Sequence, residues 1–248
     1  RPAVRIFAAA QPASSPLHLR NVEPAARAVQ LAFGGPPGAE VFLNQPIAAL
    51  DGALDGCTTL FFEGHGDAPL QGEHVPATVA SDGLMESVSI QTLAETVRRC
   101  GGVKLAVLMG CCTLALARAL QEIGCVPHVV CWSTVLHDQG SRIFSSALAR
   151  ALATSRSPRE AFDDACLAVE TVTEPGQYDN GIQARVQKFE LFIDPKDATQ
   201  VLGNGRLVAH APSASRGRLV VGIPILLDGA APTLAPLPAA APSLGPGV

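Results

Sequence analysis

The sequence has few basic side chains and no long apolar run, and each shortage excludes a class of protein. Lys and Arg together number 18 against 22 Asp and Glu, which gives a formal net charge of −4. The chain therefore lacks the basic surface that nucleic-acid binding requires. No apolar run approaches the roughly 20 residues that span a bilayer. We expect a protein with no nucleic-acid partner and no membrane partner.

Several motifs that would indicate a bound group are also missing. The seven cysteines are odd in number and show no C-x-x-C spacing, which favours reduced, buried thiols over a disulfide framework or a zinc site. The glycine-rich residues 34–38 contain two prolines and no following Lys-Ser/Thr, and there is no G-x-S-x-G elbow. We predict no metal and no organic cofactor, in a reducing, cytoplasmic compartment.

The order of the apolar segments indicates the fold class. With 48% apolar residues the chain can bury a full core. Short apolar runs alternate with helical patterns, which is typical of a mostly parallel sheet with helices on both faces, an α/β fold. The predicted strands are residues 4–8, 41–43, 58–63, 104–109, 126–131 and 186–193. The predicted helices are residues 21–32, 46–54, 89–97, 114–123, 141–154 and 157–172, with Ser89 and Ser157 as the N-caps of the third and the sixth. Residues 67–83 are predicted to be loop-like with a possible β-hairpin.

The most informative stretch, residues 103–119, reads V-K-L-A-V-L-M-G-C-C-T-L-A-L-A-R-A. Cys111 and Cys112 lie in the turn between a predicted buried strand and an Ala- and Leu-rich helix. Side chains at the carboxyl end of a parallel strand face the crevice in which open α/β sheets bind ligands. The positive end of the following helix favours a thiolate there. The position suits a nucleophile.

A histidine follows a second apolar strand. Residues 58–63 read T-T-L-F-F-E and continue into Gly64-His65-Gly66. Glycines on both sides of His65 suit a sharp turn that holds the imidazole at the strand end and exposes backbone N–H groups. If the two strands are neighbours in a parallel sheet, His65 and Cys111 lie ~5–10 Å apart at one edge. The pair is then predicted to form a Cys–His dyad.

Five segments of residues 4–195 share their order with one group of enzymes. They read F-F-E-G-H-G, L-M-G-C-C-T, V-V-C-W-S-T-V-L-H-D-Q-G-S-R-I-F, S-P-R-E-A-F-D-D-A and K-F-E-L-F-I-D-P. Together they resemble the caspase-like (clan CD) cysteine peptidases, which include separase, legumain-type and gingipain-type enzymes, and within them most resemble the CHAT domains. The resemblance implies a three-layer α/β/α caspase-like fold and a cysteine endopeptidase that needs no cofactor.

The resemblance also implies roles for particular residues. His65 corresponds to the base or proton donor and Cys111 to the nucleophile, because L-M-G-C matches the family pattern Leu-x-(Ala/Gly)-Cys. The backbone N–H groups of Gly66 and Cys111 would form the oxyanion hole. Asp138 matches an acidic residue that helps to shape the substrate pocket in some relatives, and would favour a basic residue before the cut. Trp132 is the second predicted pocket residue, although many relatives place tryptophan where Thr134 stands here.

We expect three parts in the chain: a caspase-like CHAT domain over residues 1–197, an appended β-hairpin over 198–228 and a Pro/Ala-rich disordered tail over 229–248. The chain begins with Arg rather than Met, and we expect it to be a fragment of a longer protein. Its expected partners are a protein or peptide substrate and the other domains of that parent chain, which would regulate it.

Other interpretations remain for the same residues. The chain is alternatively a catalytically silent scaffold or interaction module that keeps the dyad residues, or, less in keeping with a cysteine nucleophile, an unrelated α/β hydrolase-like protein. Cys112 is a core residue at the helix start or a redox neighbour that forms a strained vicinal disulfide. Asp138 is equally well placed to be the N-cap of the helix over residues 141–154. Trp132 also suits the core.

Overall fold

A computed structural model describes residues 3–66, 68–70, 73–177, 183–191 and 219–229. Its helices are α1 (Val22–Ala32), α2 (Ala49–Ala53), α3 (Ile90–Cys100), α4 (Leu114–Glu122), α5 (Asp138–Ala153) and α6 (Pro158–Glu170). The central sheet contains β1 (Val4–Ala8), β2 (Ala39–Leu43), β3 (Thr59–Glu63), β8 (Leu105–Met109), β9 (His128–Trp132) and β14 (Pro224–Asp228). Eight further strands form four two-stranded pairs, namely β4 (Ala68–Leu70) with β5 (Glu73–Val75), β6 (Ala77–Val79) with β7 (Met85–Ser87), β10 (Thr173–Gln177) with β11 (Gln183–Gln187) and β12 (Phe189–Leu191) with β13 (Leu219–Gly222).

The central sheet is parallel except at one edge. Its strand order is β14-β9-β8-β3-β1-β2, and only β14 runs antiparallel to its neighbour. All five residues of β3 and all five of β8 are buried. Strands that have neighbours on both sides and helices on both faces need continuous apolar runs, and residues 59–62 and 105–109 supply them. This explains why the sequence pattern located these two strands.

Helices cover both faces of the sheet, which confirms the predicted three-layer α/β/α fold. One apolar core joins the sheet to α1, α5 and α6, and contains Phe61, Trp132 and Phe144. The other joins it to α2, α3 and α4, and contains Phe62 and Leu108. The adjacent residues 61 and 62 lie in different cores because side chains alternate along a strand.

Local signals set several helix ends where the sequence predicted them. Ser89 caps α3 by accepting a hydrogen bond from the Thr92 amide at 3.1 Å. Ser157 and Glu160 form a complete capping box, and Pro158 is the first residue of α6. Both predicted serine caps are confirmed. The helix predicted over residues 141–154 instead begins at Asp138, and its N-cap is His137.

The C-terminal elements differ from the prediction. Residues 186–193 were expected to form the last strand of the main sheet, but residues 183–187 pair with β10 and residues 189–191 pair with β13. The described end of the predicted appended hairpin also contacts the main sheet, because β14 pairs with β9 along five residues of the central sheet. The alternation of apolar residues identifies a strand but does not identify its partner. The predicted domain boundary at residue 197 therefore separates a sheet from its own edge strand.

Some predicted features lie outside the described residues. These are the first part of the predicted appended hairpin, residues 198–218, and the Pro/Ala-rich tail from residue 230 onward. Within the described ranges, no helix combines the length and the apolar character needed to cross a bilayer.

Candidate active site

Two turns meet at the carboxyl ends of β3 and β8. These strands are parallel neighbours with Glu63 opposite Met109, which confirms the predicted sheet adjacency. The Gly64 amide donates to the Met109 carbonyl at 3.1 Å. A Cβ atom placed on Gly66 would lie 2.3 Å from the Cys111 carbonyl oxygen and 3.0 Å from the Cys111 nitrogen. The turns that carry His65 and Cys111 are therefore in backbone contact.

The absence of side chains on the glycines makes this contact possible. A Cβ atom on Gly110 would lie 2.8 Å from the Gly64 oxygen and 3.0 Å from the Gly66 nitrogen. Real Cβ atoms essentially never approach backbone atoms within 3.0 Å. The amides of Gly66 and Cys111, which were predicted to form an oxyanion hole, both lie at this contact between the turns.

The geometry of Gly66 gives a first prediction. In Gly66→Ala the new methyl group must push the Cys111 turn away, and we expect the labelling rate of Cys111 by a peptidyl thiol-reactive probe to fall roughly 100-fold, as when an oxyanion donor is lost. The matched control is Gly52→Ala, because a Cβ atom on Gly52 meets nothing within 4 Å. Mass spectrometry of the labelled chain gives both rates. Equal rates for Gly66→Ala and the unaltered chain would show that the turns are not tightly packed.

His65 is held by a carbonyl from another loop. Its Nε2 atom lies 2.8 Å from the backbone oxygen of Leu17, in the connection between β1 and α1. A carbonyl oxygen can only accept a hydrogen bond, so Nε2 carries the proton. In the neutral ring the Nδ1 atom is then the basic nitrogen. The Leu17 contact thus fixes which nitrogen can exchange a proton with a nearby thiol, and sequence patterns give no signal for it.

The Cys111 turn is held by the loop that follows β9. The Leu136 amide donates to the Cys111 sulfur at 3.3 Å, an arrangement that suits a thiolate because it is the better acceptor. The Cys112 amide donates to the backbone carbonyl oxygen of Thr134 at 2.9 Å. Cys112 has a φ of 53°, a left-handed conformation that is uncommon outside glycine and concentrates at functional sites. A third hydrogen bond joins the Cys111 turn to β9, because the Thr113 hydroxyl accepts from the Trp132 amide at 3.1 Å.

The C-terminal segment supports that loop in turn. The Ser133 amide donates to the Ile223 oxygen at 3.1 Å, and the His137 amide donates to the Val221 oxygen at 2.9 Å. The Ile223 amide donates to the Thr134 hydroxyl at 2.9 Å. Residues 221–223 therefore fix, through these hydrogen bonds, the position of the loop after β9 that contacts Cys111. The sequence pattern places these residues in an appended hairpin away from the main sheet, so their role at the site was missed.

The two predicted pocket residues lie in different environments. The Asp138 Oδ2 atom accepts hydrogen bonds from the Asn21 side chain at 2.7 Å and from the Asn21 amide at 3.3 Å. Asp138 is the first residue of α5 and not its cap. Trp132 is completely buried, and its ring packs edge-on against Phe144 at 5.1 Å. The structure places Trp132 in the core, the second of the two roles that its sequence position suggested.

A buried carboxyl group stands directly before the histidine turn. Glu63 is 1% exposed, and both of its carboxyl oxygens are buried without a hydrogen-bond partner in the described chain. Burial raises the pKa of Glu63 from 4.5 to about 8, and only the Ser145 side chain on α5 opposes the rise. From its sequence position alone this residue is the end of an apolar strand. The signal in the sequence was the acidic residue at the end of the otherwise apolar run T-T-L-F-F-E, which indicated a buried carboxyl group.

The hairpins that follow His65 attach to its backbone. Residues 67–83 were expected to be loop-like with a possible hairpin, and the structure has two hairpins, β4 with β5 and β6 with β7. The Ala77 amide, at the start of β6, donates to the His65 carbonyl at 2.9 Å.

No group of three or more His, Cys, Asp or Glu side chains within the described ranges is arranged to hold a metal ion.

Comparison with known proteins identifies the architecture. No protein-family model and no curated protein matches the sequence. Among solved structures, similarity extends to a secreted C11 cysteine protease from Bacteroides thetaiotaomicron bound to an irreversible peptide inhibitor, with a TM-score of 0.50 and 9% identity over 73% of this chain. The fold is caspase-like. The chain spans 62% of the length of that protease, so the caspase-like fold is shared but the full extent of the protease is not.

Two other similar structures are more distant. The Arg-specific cysteine proteinase gingipain R matches with a TM-score of 0.43 and 11% identity, over 66% of this chain and 41% of that chain. A pyridoxal kinase from Staphylococcus aureus in complex with pyridoxal matches with a TM-score of 0.37 and 9% identity, over 74% of this chain and 92% of that chain. At these scores neither match carries a conclusion about this caspase-like chain.

Proposed function

We propose that the chain is a CHAT-type cysteine endopeptidase domain that cleaves peptide bonds in protein substrates through His65 and Cys111. The observation that carries the proposal is the backbone contact between the two turns, in which a Cβ atom on Gly66 would lie 2.3 Å from the Cys111 oxygen. A nucleophile and a base on adjacent turns at the carboxyl edge of a sheet form the arrangement that covalent acyl transfer needs.

In the proposed reaction His65 takes the Cys111 proton at Nδ1, since Leu17 holds the Nε2 proton. The Cys111 sulfur attacks the scissile carbonyl carbon, and the amides of Gly66 and Cys111 stabilise the oxyanion. The imidazolium of His65 then protonates the leaving amine, which leaves a thioester on Cys111. Water attacks the thioester with His65 as base, the C–S bond breaks, the acyl group leaves as a carboxylic acid, and the His65 imidazolium returns its proton to the Cys111 thiolate. These steps use only protein groups, the substrate and water.

Asp138 is our proposed determinant of substrate preference. Its carboxylate lies at the start of α5, and its two hydrogen bonds from Asn21 fix its position. A fixed carboxylate near the cleavage site favours a basic side chain before the cut. We further propose that the chain works in the cytoplasm as part of a longer protein whose other domains regulate it.

The test is labelling of the purified chain with a peptidyl electrophile, with the adduct located by mass spectrometry. We expect a single adduct on Cys111, none in Cys111→Ser, and a rate reduced roughly 100-fold or more in His65→Ala, as is typical when an acid–base group is lost. Cys112→Ser is the matched control and should keep the rate of the unaltered chain. Burial raises the pKa of Cys131 and of Cys166 to about 12, so these thiols serve as unreactive internal references.

The same experiment distinguishes the catalytically silent alternative. A scaffold that keeps the dyad residues without using them should label slowly at several cysteines, with no dependence on His65. A peptide library with basic, acidic and neutral residues before the cut then tests the substrate preference. Preferential cleavage after basic residues, lost in Asp138→Asn, is the expected result. Cleavage that is indifferent to Asp138 would remove that residue from the pocket.

A further inference from the structure

Glu63 shares one row of the sheet with the only tryptophan of the chain. Glu63 on β3 is paired in register with Met109 on β8. The backbone pairing of β8 with β9 ends at Val107 and Val130, and Met109 and Trp132 each follow these residues by two positions, at the carboxyl ends of the same two strands. Met109 and Trp132 belong to the core beneath α5, and Glu63 points to that same face because residue 61 does. We call Glu63, Met109 and Trp132 the carboxyl-end row.

Both polar groups of this row are buried without partners. Within the described chain the two Glu63 carboxyl oxygens and the Trp132 Nε1 atom have no hydrogen-bond partner, and the two residues are 1% and 0% exposed. Buried polar groups are nearly always hydrogen-bonded, and exceptions call for an explanation. A neutral carboxylic acid costs far less to bury than a carboxylate, so this environment selects the protonated form of Glu63.

Among the residues that the structure describes, no charged side chain contributes to the pKa of Glu63. The one side chain that favours its ionised form is Ser145 on α5, whose hydroxyl donates to the Arg142 oxygen at 3.5 Å and makes no hydrogen bond of ordinary geometry to Glu63. Burial outweighs the effect of this hydroxyl and raises the pKa of Glu63 to about 8. None of the titratable or charged groups on the elements packed around it affects this pKa. These groups are Arg5 on β1, His128 and Cys131 on β9, Glu23 and Arg27 on α1, and Asp138, Arg142 and Arg150 on α5.

The carboxyl-end row adjoins both site turns. Gly64 and Gly110 directly follow Glu63 and Met109, and the Gly64 amide donates to the Met109 oxygen at 3.1 Å. The Ala9 amide donates to the backbone carbonyl oxygen of Glu63 at 2.8 Å. A change in the position of the Glu63 side chain would therefore be transmitted to His65 and Cys111 through one or two residues of backbone.

We propose that Glu63 is an internal proton switch, protonated in the folded core, whose ionisation moves its side chain and the Trp132 indole and thereby displaces the His65 and Cys111 turns. Loss of the proton to solvent leaves an anion that no cation in the described part of the chain compensates. The anion must then recruit water or the unpartnered indole N–H, and either response repacks the carboxyl-end row. Glu63 is in this sense a pH-sensitive positioning residue. The switch does not depend on peptidase activity, and its test needs no substrate.

The single tryptophan provides the readout. We expect the fluorescence of Trp132, excited at wavelengths where tyrosine does not absorb, to change with pH with a midpoint near 8. In Glu63→Gln this transition should be lost, because the neutral amide cannot ionise. The matched control is Glu122→Gln, an exposed glutamate on α4, which should keep the transition. In Ser145→Ala the midpoint should move to higher pH, since the side chain that favours the ionised form is removed.

Two further measurements complete the test. Far-UV circular dichroism should stay constant through the transition, as expected for local repacking. The labelling rate of Cys111 by iodoacetamide in the unaltered chain, divided by that in Glu63→Gln, should fall as the pH passes 8. A transition that persists in Glu63→Gln, a midpoint unmoved in Ser145→Ala, or loss of secondary structure at the same pH would each overturn the proposal. Ser145→Ala keeps the proposal falsifiable if Glu63→Gln fails to fold.

Discussion

Ending the chain at residue 218 is expected to prevent it from folding. The truncation removes β14, which pairs with five residues of β9, and β13, which pairs with β12. It also removes three core side chains, Val221, Ile223 and Leu226, which are 0%, 5% and 9% exposed. Burial of each contributes roughly 1.5–3 kcal/mol, and the total is comparable to the ~5–15 kcal/mol that stabilises a whole domain.

The control for this truncation is a chain that ends after Gly229, which keeps every contact described above. We expect far-UV circular dichroism and urea unfolding to show a cooperative transition for the longer chain and none for the shorter one. If the chain of residues 1–218 unfolded cooperatively with similar stability, residues 219–229 would be an appendage, as the sequence alone had suggested.

The second large effect is expected from Glu63→Gln and depends on pH. The folded chain raises the pKa of Glu63 from 4.5 to about 8, so between these values the folded state binds a proton that the unfolded state has lost. The free energy of unfolding of the unaltered chain therefore falls as pH rises, by about 1.4 kcal/mol per pH unit from this group. This loss begins near pH 4.5 and ends near pH 8.

The glutamine variant has no proton to lose at this position. Its stability relative to the unaltered chain should therefore increase by about 3 kcal/mol between pH 4.5 and pH 7, and should level off above pH 8. The difference isolates the titration from any constant cost of burying the amide. Urea unfolding of both chains at half-unit pH intervals gives the measurement. A difference that stays constant across this range would mean that Glu63 is ionised in the folded protein.

Both predictions concern how this domain is stabilised. The first asks whether the edge strand belongs to the domain, and the second asks how the domain tolerates an uncompensated carboxyl group beside its site. Buried, unpaired polar groups are destabilising, and proteins retain them where they serve a function. Glu63 directly precedes the turn of His65, which is the reason for connecting its ionisation to the site.

Local sequence patterns were sufficient to predict the layers of this fold. The apolar runs at residues 59–62 and 105–109 could only be buried between helices, and the glycines around His65 and before Cys111 marked sharp turns at the strand ends. Serine caps at Ser89 and Ser157 marked two helix starts. These signals are encoded within about ten residues of chain, where periodicity and turn chemistry act.

The partners of the later strands could not be obtained in this way. Residues 183–187, 189–191 and 219–228 show strand character, but the hydrogen bonds that decide their neighbours join residues far apart in the chain. The five-residue pairing of β14 with β9 joins positions 228 and 128. An alternating pattern specifies which face is buried and leaves the identity of the neighbouring strand open.

The site shows the same division. The sequence by itself determined the three-layer architecture and the placement of a histidine and a cysteine at the ends of two strands, because both depend on short-range patterns. Only the tertiary structure decided that the turns touch, that the Leu17 oxygen selects the His65 tautomer, that residues 221–223 support the Cys111 loop, and that Glu63 is buried without a partner. Each of these depends on distances between segments that are remote in sequence, and such distances are set by packing rather than by local pattern.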